Sequence, residues 1–176
     1  VEDIEKSIAA LDARGTEAET LLGKAQAAFD AGRLLGDDGA VALYQRALAS
    51  DTGNSLARAG ISRSVDALAE QAKAAFAAGD PGTAATRVED IARILPGYPA
   101  LPDLRAELGK QREAASVALG KDLDRAEAQL RAGRIAGAAD SAQALFESVL
   151  QRDAANARAR AALFSPSMAS AARYLS

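Results

Sequence analysis

The sequence predicts an all-α chain of antiparallel helix hairpins, some with elongated helices. Three observations predict it. Alanine, the strongest helix former, makes up roughly a quarter of the 176 residues, while aromatics supply only 4% and Trp is absent. Apolar residues recur at three- and four-residue spacing over long stretches, the period of a helix with one buried face. Gly and Pro interrupt these stretches only at intervals, where turns belong. Strand signals are nearly absent.

The first element carries Ile4, Ile8, Leu11, Ala18, Leu22, Ala25 and Phe29 on one stripe that passes Gly15. This is either one long helix bent near Gly15 or two helices. The stripe ends at Ala27-Ala28-Phe29-Asp30-Ala31-Gly32-Arg33-Leu34, and related endings stand at Ala74-Ala75-Phe76-Ala77-Ala78-Gly79-Asp80-Pro81 and Ala128-Gln129-Leu130-Arg131-Ala132-Gly133-Arg134-Ile135. Each reads as a helix closed by a left-handed glycine. After each glycine comes a second amphipathic helix, with Tyr44, Ala47 and Leu48, then Val88, Ile91 and Leu95, then Phe146, Val149 and Leu150 as its buried stripe.

The following helices open on a recurring element, Arg58-Ala59-Gly60-Ile61, Arg105-Ala106-Glu107-Leu108 and Arg160-Ala161-Ala162-Leu163. Residues 42–59 align without gaps on residues 144–161, keeping Asp51 with Asp153 and Asn54 with Asn156. Those polar turn residues are placed to satisfy helix-end backbone groups, and Pro96-Gly97-Tyr98-Pro99 cannot continue a helix. Two of the first helices are long, Ser55 to Ala78 and Ala100 to Ala132, the latter about 50 Å at 1.5 Å per residue. Gly32 and Gly79 are 47 residues apart and Gly79 and Gly133 are 54 apart, so the longer unit gains one heptad and its seam Leu104, Leu108, Ala115, Leu119, Leu123, Ala126 and Leu130 stays in phase. At the other end Ser165-Pro166 reads as an N-cap for a short helix over Ser167 to Leu175.

Composition excludes several functions. The formal charge is −3, with Lys and Arg dispersed among Asp and Glu instead of gathered into a basic face, which argues against nucleic acid. No apolar run approaches the roughly 18 residues of a membrane span, and the opening Val1-Glu2-Asp3-Ile4-Glu5-Lys6 does not read as a secretory leader. The chain has neither His nor Cys, which removes the commonest general base, the thiolate nucleophile and the triads built on them. Without Cys, the cytoplasm and the periplasm fit equally.

The acid pairs Asp37-Asp38, Glu89-Asp90 and Asp122 with Asp124 read as solvated or capping groups. Gly36-Asp37-Asp38-Gly39 lacks the spaced ligands of a calcium loop, and Gly120-Lys121-Asp122 lacks the remainder of a phosphate loop. No metal or cofactor is expected. Phe29, Tyr44, Phe76 and Phe146 recur at equivalent or neighbouring repeat positions and read as core, whereas Tyr98 in its proline-bounded turn is either a contact residue or local packing.

The glycine-closed helices, the Ala-Leu near the end of the second helix and the Asp-x-x-Asn turn resemble the tetratricopeptide repeat (TPR) family, from about Leu21 to Leu163. The resemblance is closest in Tyr44-Gln45-Arg46-Ala47-Leu48-Ala49-Ser50-Asp51-Thr52-Gly53-Asn54 and in Gly79-Asp80-Pro81 with Ala84. The units here exceed that family's 34 residues, and Leu21 and Leu68 stand where its aromatic is usual. The resemblance implies one helical-repeat domain over 1–176, a right-handed solenoid with units near 17–54, 55–99 and 100–156 and a partial cap at 157–176. It implies a concave face that binds a protein or peptide, with groove positions Gln26 and Asp30, Ala69 and Lys73, and Glu127 and Arg131; Tyr98 joins them as a candidate contact. The family's grip on a terminal carboxylate is not expected, because Gln26, Lys73 and Glu127 replace the Asn that it needs.

The function expected is therefore a non-enzymatic protein-interaction or scaffolding module. The Ala-rich, Arg-over-Lys composition points to a bacterial source, with the chain part of a larger protein or assembly. The alternative is a rigid spacer or self-associating rod with no groove ligand, and a carboxylate-based enzyme stands a distant third. Open repeat ends predict weak homodimerisation.

Overall fold

A computed structural model describes residues 2–165, the side chains of residues 7, 8, 10 and 11 apart. The expected final helix over Ser167 to Leu175 lies outside the described residues, as do the side chains of Ile8 and Leu11. Among the described residues the fold is all-helical: α1 (Glu2–Asp30), α2 (Ala40–Ser50), α3 (Ser55–Ala77), α4 (Pro81–Ile94), α5 (Leu101–Arg131), α6 (Ala142–Arg152) and α7 (Ala157–Leu163). The chain divides into two compact units, Val1–Gly109 and Lys110–Ser176, with the boundary inside α5.

Glycine closes the three helices that precede the intra-hairpin turns, and it does so in one geometry. Gly32, Gly79 and Gly133 have φ of 71°, 69° and 73°. In each, the glycine N–H donates to the carbonyl three residues back, and the next residue's N–H to the carbonyl five back, as in Gly32 to Phe29 and Arg33 to Ala28. This pairing satisfies two carbonyls that a helix end would otherwise leave bare.

The turns after these glycines are of two kinds. Gly79 is followed at once by Asp80, whose side chain accepts from the Thr83 N–H, and by Pro81 in the first turn of α4. Gly32 and Gly133 instead lead to a second left-handed glycine four residues on, Gly36 (φ 92°) and Gly137 (φ 91°). There the first amides of the next helix are met by the loop backbone, Ala40 and Val41 donating to Arg33 and Leu34, and Ala142 and Gln143 to Arg134 and Ile135.

Between hairpins the polar turn also recurs. Asn54 caps α3 by accepting from the Ala57 N–H, and Asp51 accepts from Gly53 N–H and Asn54 Nδ2. Asn156, Ala159, Asp153 and Ala155 repeat the arrangement before α7.

In the first unit α1 packs on α2, α2 on α3 and α3 on α4, and α1 also touches α3. One core gathers Leu21, Ala25, Ala28, Leu43, Tyr44, Ala47 and Ala57; the other gathers Leu34, Val65, Leu68, Ala72, Val88, Ile91 and the first turns of α5 at Leu101 and Leu104. In the second unit Leu123, Ala126, Phe146, Val149 and Ala159 form the core. The aromatics read as core are there: Tyr44 and Phe146 are buried, and Phe29 and Phe76 pack partly buried against the first unit's cores.

Two expectations need correction. α1 runs as one helix through Gly15; its seam residues Ala18, Ala25 and the neighbouring Leu21 and Ala28 are buried, whereas residues 12–17 are exposed and Ile4 keeps 65% of its surface. Asp90 is not a solvated acid. It is 7% exposed and accepts from Arg87 Nη1 at 3.1 Å and Arg93 Nη1 at 3.3 Å, because burial of a carboxylate requires paired cations.

Two interior glycines should answer to alanine with opposite signs. A Cβ on Gly60 would lie 2.4 Å from the Tyr44 ring, whereas Gly23 on α1 has nothing within 4 Å. Gly60→Ala should lower stability in urea unfolding by about 1–3 kcal/mol, and Gly23→Ala should raise it by about 0.5–1 kcal/mol through helix propensity. Removing either asparagine cap, Asn54→Ala or Asn156→Ala, should cost about 1 kcal/mol in the same assay.

Candidate protein-binding groove

The close approach that Gly60 permits sets up the site. With no Cβ on α3 at that point, the Tyr44 ring lies against the helix backbone, leaving the residue 2% exposed while its hydroxyl reaches the rim between α1 and α3. That rim surrounds an open depression of about 450 Å³, lined by Leu22 and Gln26 from α1, Leu56, Ala59 and Arg63 from α3, and Tyr44 beneath. Leu56, Ala59 and Arg63 recur at three and four residues, a stripe separate from the buried Ala57, Gly60, Ser64 and Leu68. Leu56 is 68% exposed.

Arg63 is held in place by neutral groups. Its Nη2 donates to Gln26 Oε1 at 2.7 Å and to the Tyr44 hydroxyl at 3.4 Å, and its guanidinium sits over the Phe29 ring, 5.3 Å from the centroid. The Tyr44 hydroxyl donates to the same Gln26 oxygen at 3.2 Å, and Gln26 Nε2 donates to Asp30 at 2.7 Å, which fixes the amide's orientation. Stacking contributes about 0.5–1 kcal/mol and a hydrogen bond to a charged group about 1.5–3 kcal/mol. Together these match or exceed the roughly 2 kcal/mol of rotamer entropy lost by an immobilised arginine, so the guanidinium is preorganised.

The residues anticipated from the repeat pattern fall in several places. Gln26 and Asp30 are at this groove, acting on Arg63. Ala69 is 1% exposed in the core beside Leu68 and Ala72, which corrects its assignment to an accessible face. Ala69 stands ten residues before Gly79, one helical turn earlier than the position that Gln26, Lys73 and Glu127 share, and it is packed in the core that α3 forms with α4. Lys73 is exposed and paired with Glu70 at 2.7 Å. In the second unit Glu127 and Asp124 receive Arg158 at 2.7 Å and 3.2 Å, and Arg131 lies 3.8 Å from Glu127. Those hydrogen bonds, Glu127 first, raise the Arg158 pKa above its ordinary value.

Tyr98 is packed as well as polar. It lies half-buried against the core of α3 and α4, and its hydroxyl donates to Asp66 at 2.9 Å. Arg63, Leu56, Leu22, Ala59 and the Tyr44 hydroxyl were not anticipated as site residues. The Leu56, Ala59, Arg63 spacing is the signal that would have found three of them.

No protein-family model, curated protein or solved structure matches the chain. Among the described residues, no helix is long and apolar enough to cross a membrane.

Burial pushes the Tyr98 phenol up from its ordinary pKa, and the Asp66 hydrogen bond and the charges of Asp66 and Glu70 push the same way. The folded state therefore keeps this proton after the unfolded chain begins to lose it near pH 10. The resulting stability is full below about pH 10 and is lost as pH rises through the folded pKa. Ultraviolet titration should show that the phenolate signal missing in Tyr98→Phe has its midpoint above 10, and Asp66→Asn should lower that midpoint.

Proposed function

We propose that the chain is a non-enzymatic, TPR-like interaction module, a right-handed solenoid of helix hairpins, whose α1–α3 groove holds a segment of a partner polypeptide. The observation that carries this reading is Leu56: a leucine 68% exposed on the wall of an open depression, beside an arginine immobilised without a carboxylate. Exposed apolar surface gathered in a concavity with fixed polar groups is what a recognition site requires. The solenoid reading is supported by the three like glycine closures, the two Asp-x-x-Asn turns and the contact of α3 with α1.

One observation favours the spacer reading. Residues 112–118 of α5 are all exposed, a stretch of helix that buries little side-chain surface. A rod needs such self-supporting helix, and a groove binder does not.

Affinity capture from the source organism with the wild-type chain, Leu56→Glu and the off-groove control Ile4→Glu separates the two. A groove binder should retain a polypeptide that Leu56→Glu loses by about tenfold or more, the equivalent of about 1.4 kcal/mol, and that Ile4→Glu keeps. Equal retention by all three, with self-association in sedimentation, would favour the rod.

A further inference from the structure

We propose that the groove selects an acidic partner segment: an extended stretch in which an Asp or Glu side chain lies two residues from a large apolar one. The inference rests on the reading of this groove as a partner site and adds the chemistry of the occupant.

The case begins with how the arginines are used. Arg87 and Arg93 meet Asp90, Arg131 meets Glu127, Arg152 meets Asp122, and Arg158 meets Asp124 and Glu127. In each of these the positive charge is answered within the chain, whereas Arg58 and Arg134 are met by neutral groups, Thr52 O and Gln129 Oε1; Arg63 differs from those two in lining the depression beside exposed Leu56. Arg63 is exposed and fixed by an amide oxygen, a phenol and an aromatic face, none of which carries a charge. The nearest acid in that network, Asp30, is engaged by the Gln26 amide.

Geometry adds a second element. Both internal acceptors use Nη2, so among the described residues Nε and Nη1 carry no hydrogen bond. Each can donate a single charge-assisted hydrogen bond to a carboxylate oxygen, since both paired edges of the fork, Nε with Nη2 and Nη1 with Nη2, include the nitrogen already engaged within the chain. Immobilising Arg63 in advance leaves less entropy to lose on binding.

The spacing follows from the lining. Leu56 and Arg63 are seven residues apart on α3, about 10 Å along the axis, and an arginine side chain leans back toward the helix N-terminus, shortening the gap. In an extended peptide, side chains two residues apart point the same way and stand about 6.6 Å apart. One would fill the space between Leu22, Leu56 and Ala59, and the other would meet the guanidinium. A side-chain carboxylate two residues from the apolar side chain points to the same side of an extended peptide, as this lining requires.

The test uses the full 176-residue chain, labelled with nitrogen-15, and blocked pentapeptides followed by NMR. The probes are acetyl-Ala-Leu-Ala-Asp-Ala-amide, its reversed order, both Asn counterparts, and acetyl-Ala-Ala-Leu-Ala with a free terminus. An Asp peptide should shift the Arg63 Nε–H and the amides of 22–26 and 56–63, and bind about three- to tenfold more tightly than its Asn counterpart at low salt. Arg63→Gln should abolish that preference, and Arg63→Lys should keep part of it. Equal binding of Asp and Asn peptides would overturn acid selection and leave the groove reading standing. Tighter binding of the free-terminus peptide would overturn the side-chain assignment, and no shift at the groove with any peptide would overturn both readings.

Discussion

The organisation of this chain depends on a backbone constraint: a helix closed by paired bonds back to its last carbonyls needs one residue past its end in the left-handed region, where a Cβ is costly. Gly32, Gly79 and Gly133 meet that demand at the three places where a long helix must turn back. Once the turn is fixed, the apolar stripe of the next helix is brought onto that of the first, and Ala-rich surfaces permit close packing. A hairpin still has a bare side, and in the first unit α3 covers it for α1 and α2. Stability is thus cooperative between neighbours, while the turns that make it possible are local.

Small side chains have a second effect. Nearly half of the buried apolar residues described are Ala, so the larger ones weigh heavily on the geometry, and one of them presses against a place with no side chain at all. Tyr44 against Gly60 is one such pair, and in the second unit Phe146 and Ala162 hold the corresponding sequence positions. Tyr44 needs the gap that Gly60 leaves, and its hydroxyl turns a packing contact into a polar contact at the groove.

Local rules were legible in the sequence; rotational position was not. The all-helical class, the glycine closures, the asparagine caps and the ends of α3 and α5 within a residue or so follow from spacing and turn chemistry. The exposure of Ile4 and of residues 12–17 in α1 was not legible, because Ile4 keeps the helical period whether or not anything lies beneath it. Asp90 was missed because its two arginine partners sit three residues to either side, a pattern equally common on solvated helices. In the groove, counting from the turn glycine found Gln26 and Asp30 but took Ala69 one helical turn too early, at a position where the side chain is buried by its neighbours. Arg63 was invisible because its partners are 37 and 19 residues away in sequence.

The Tyr44 ring has one side in the interior and its oxygen in the groove. Any change at Gly60 that moves the ring by a fraction of an ångström also moves the acceptor it shares with Arg63. Under the proposed reading of the groove, folding and recognition in this unit draw on the same few atoms, and a lineage that repacked this core would retune its choice of partner without altering a single surface residue.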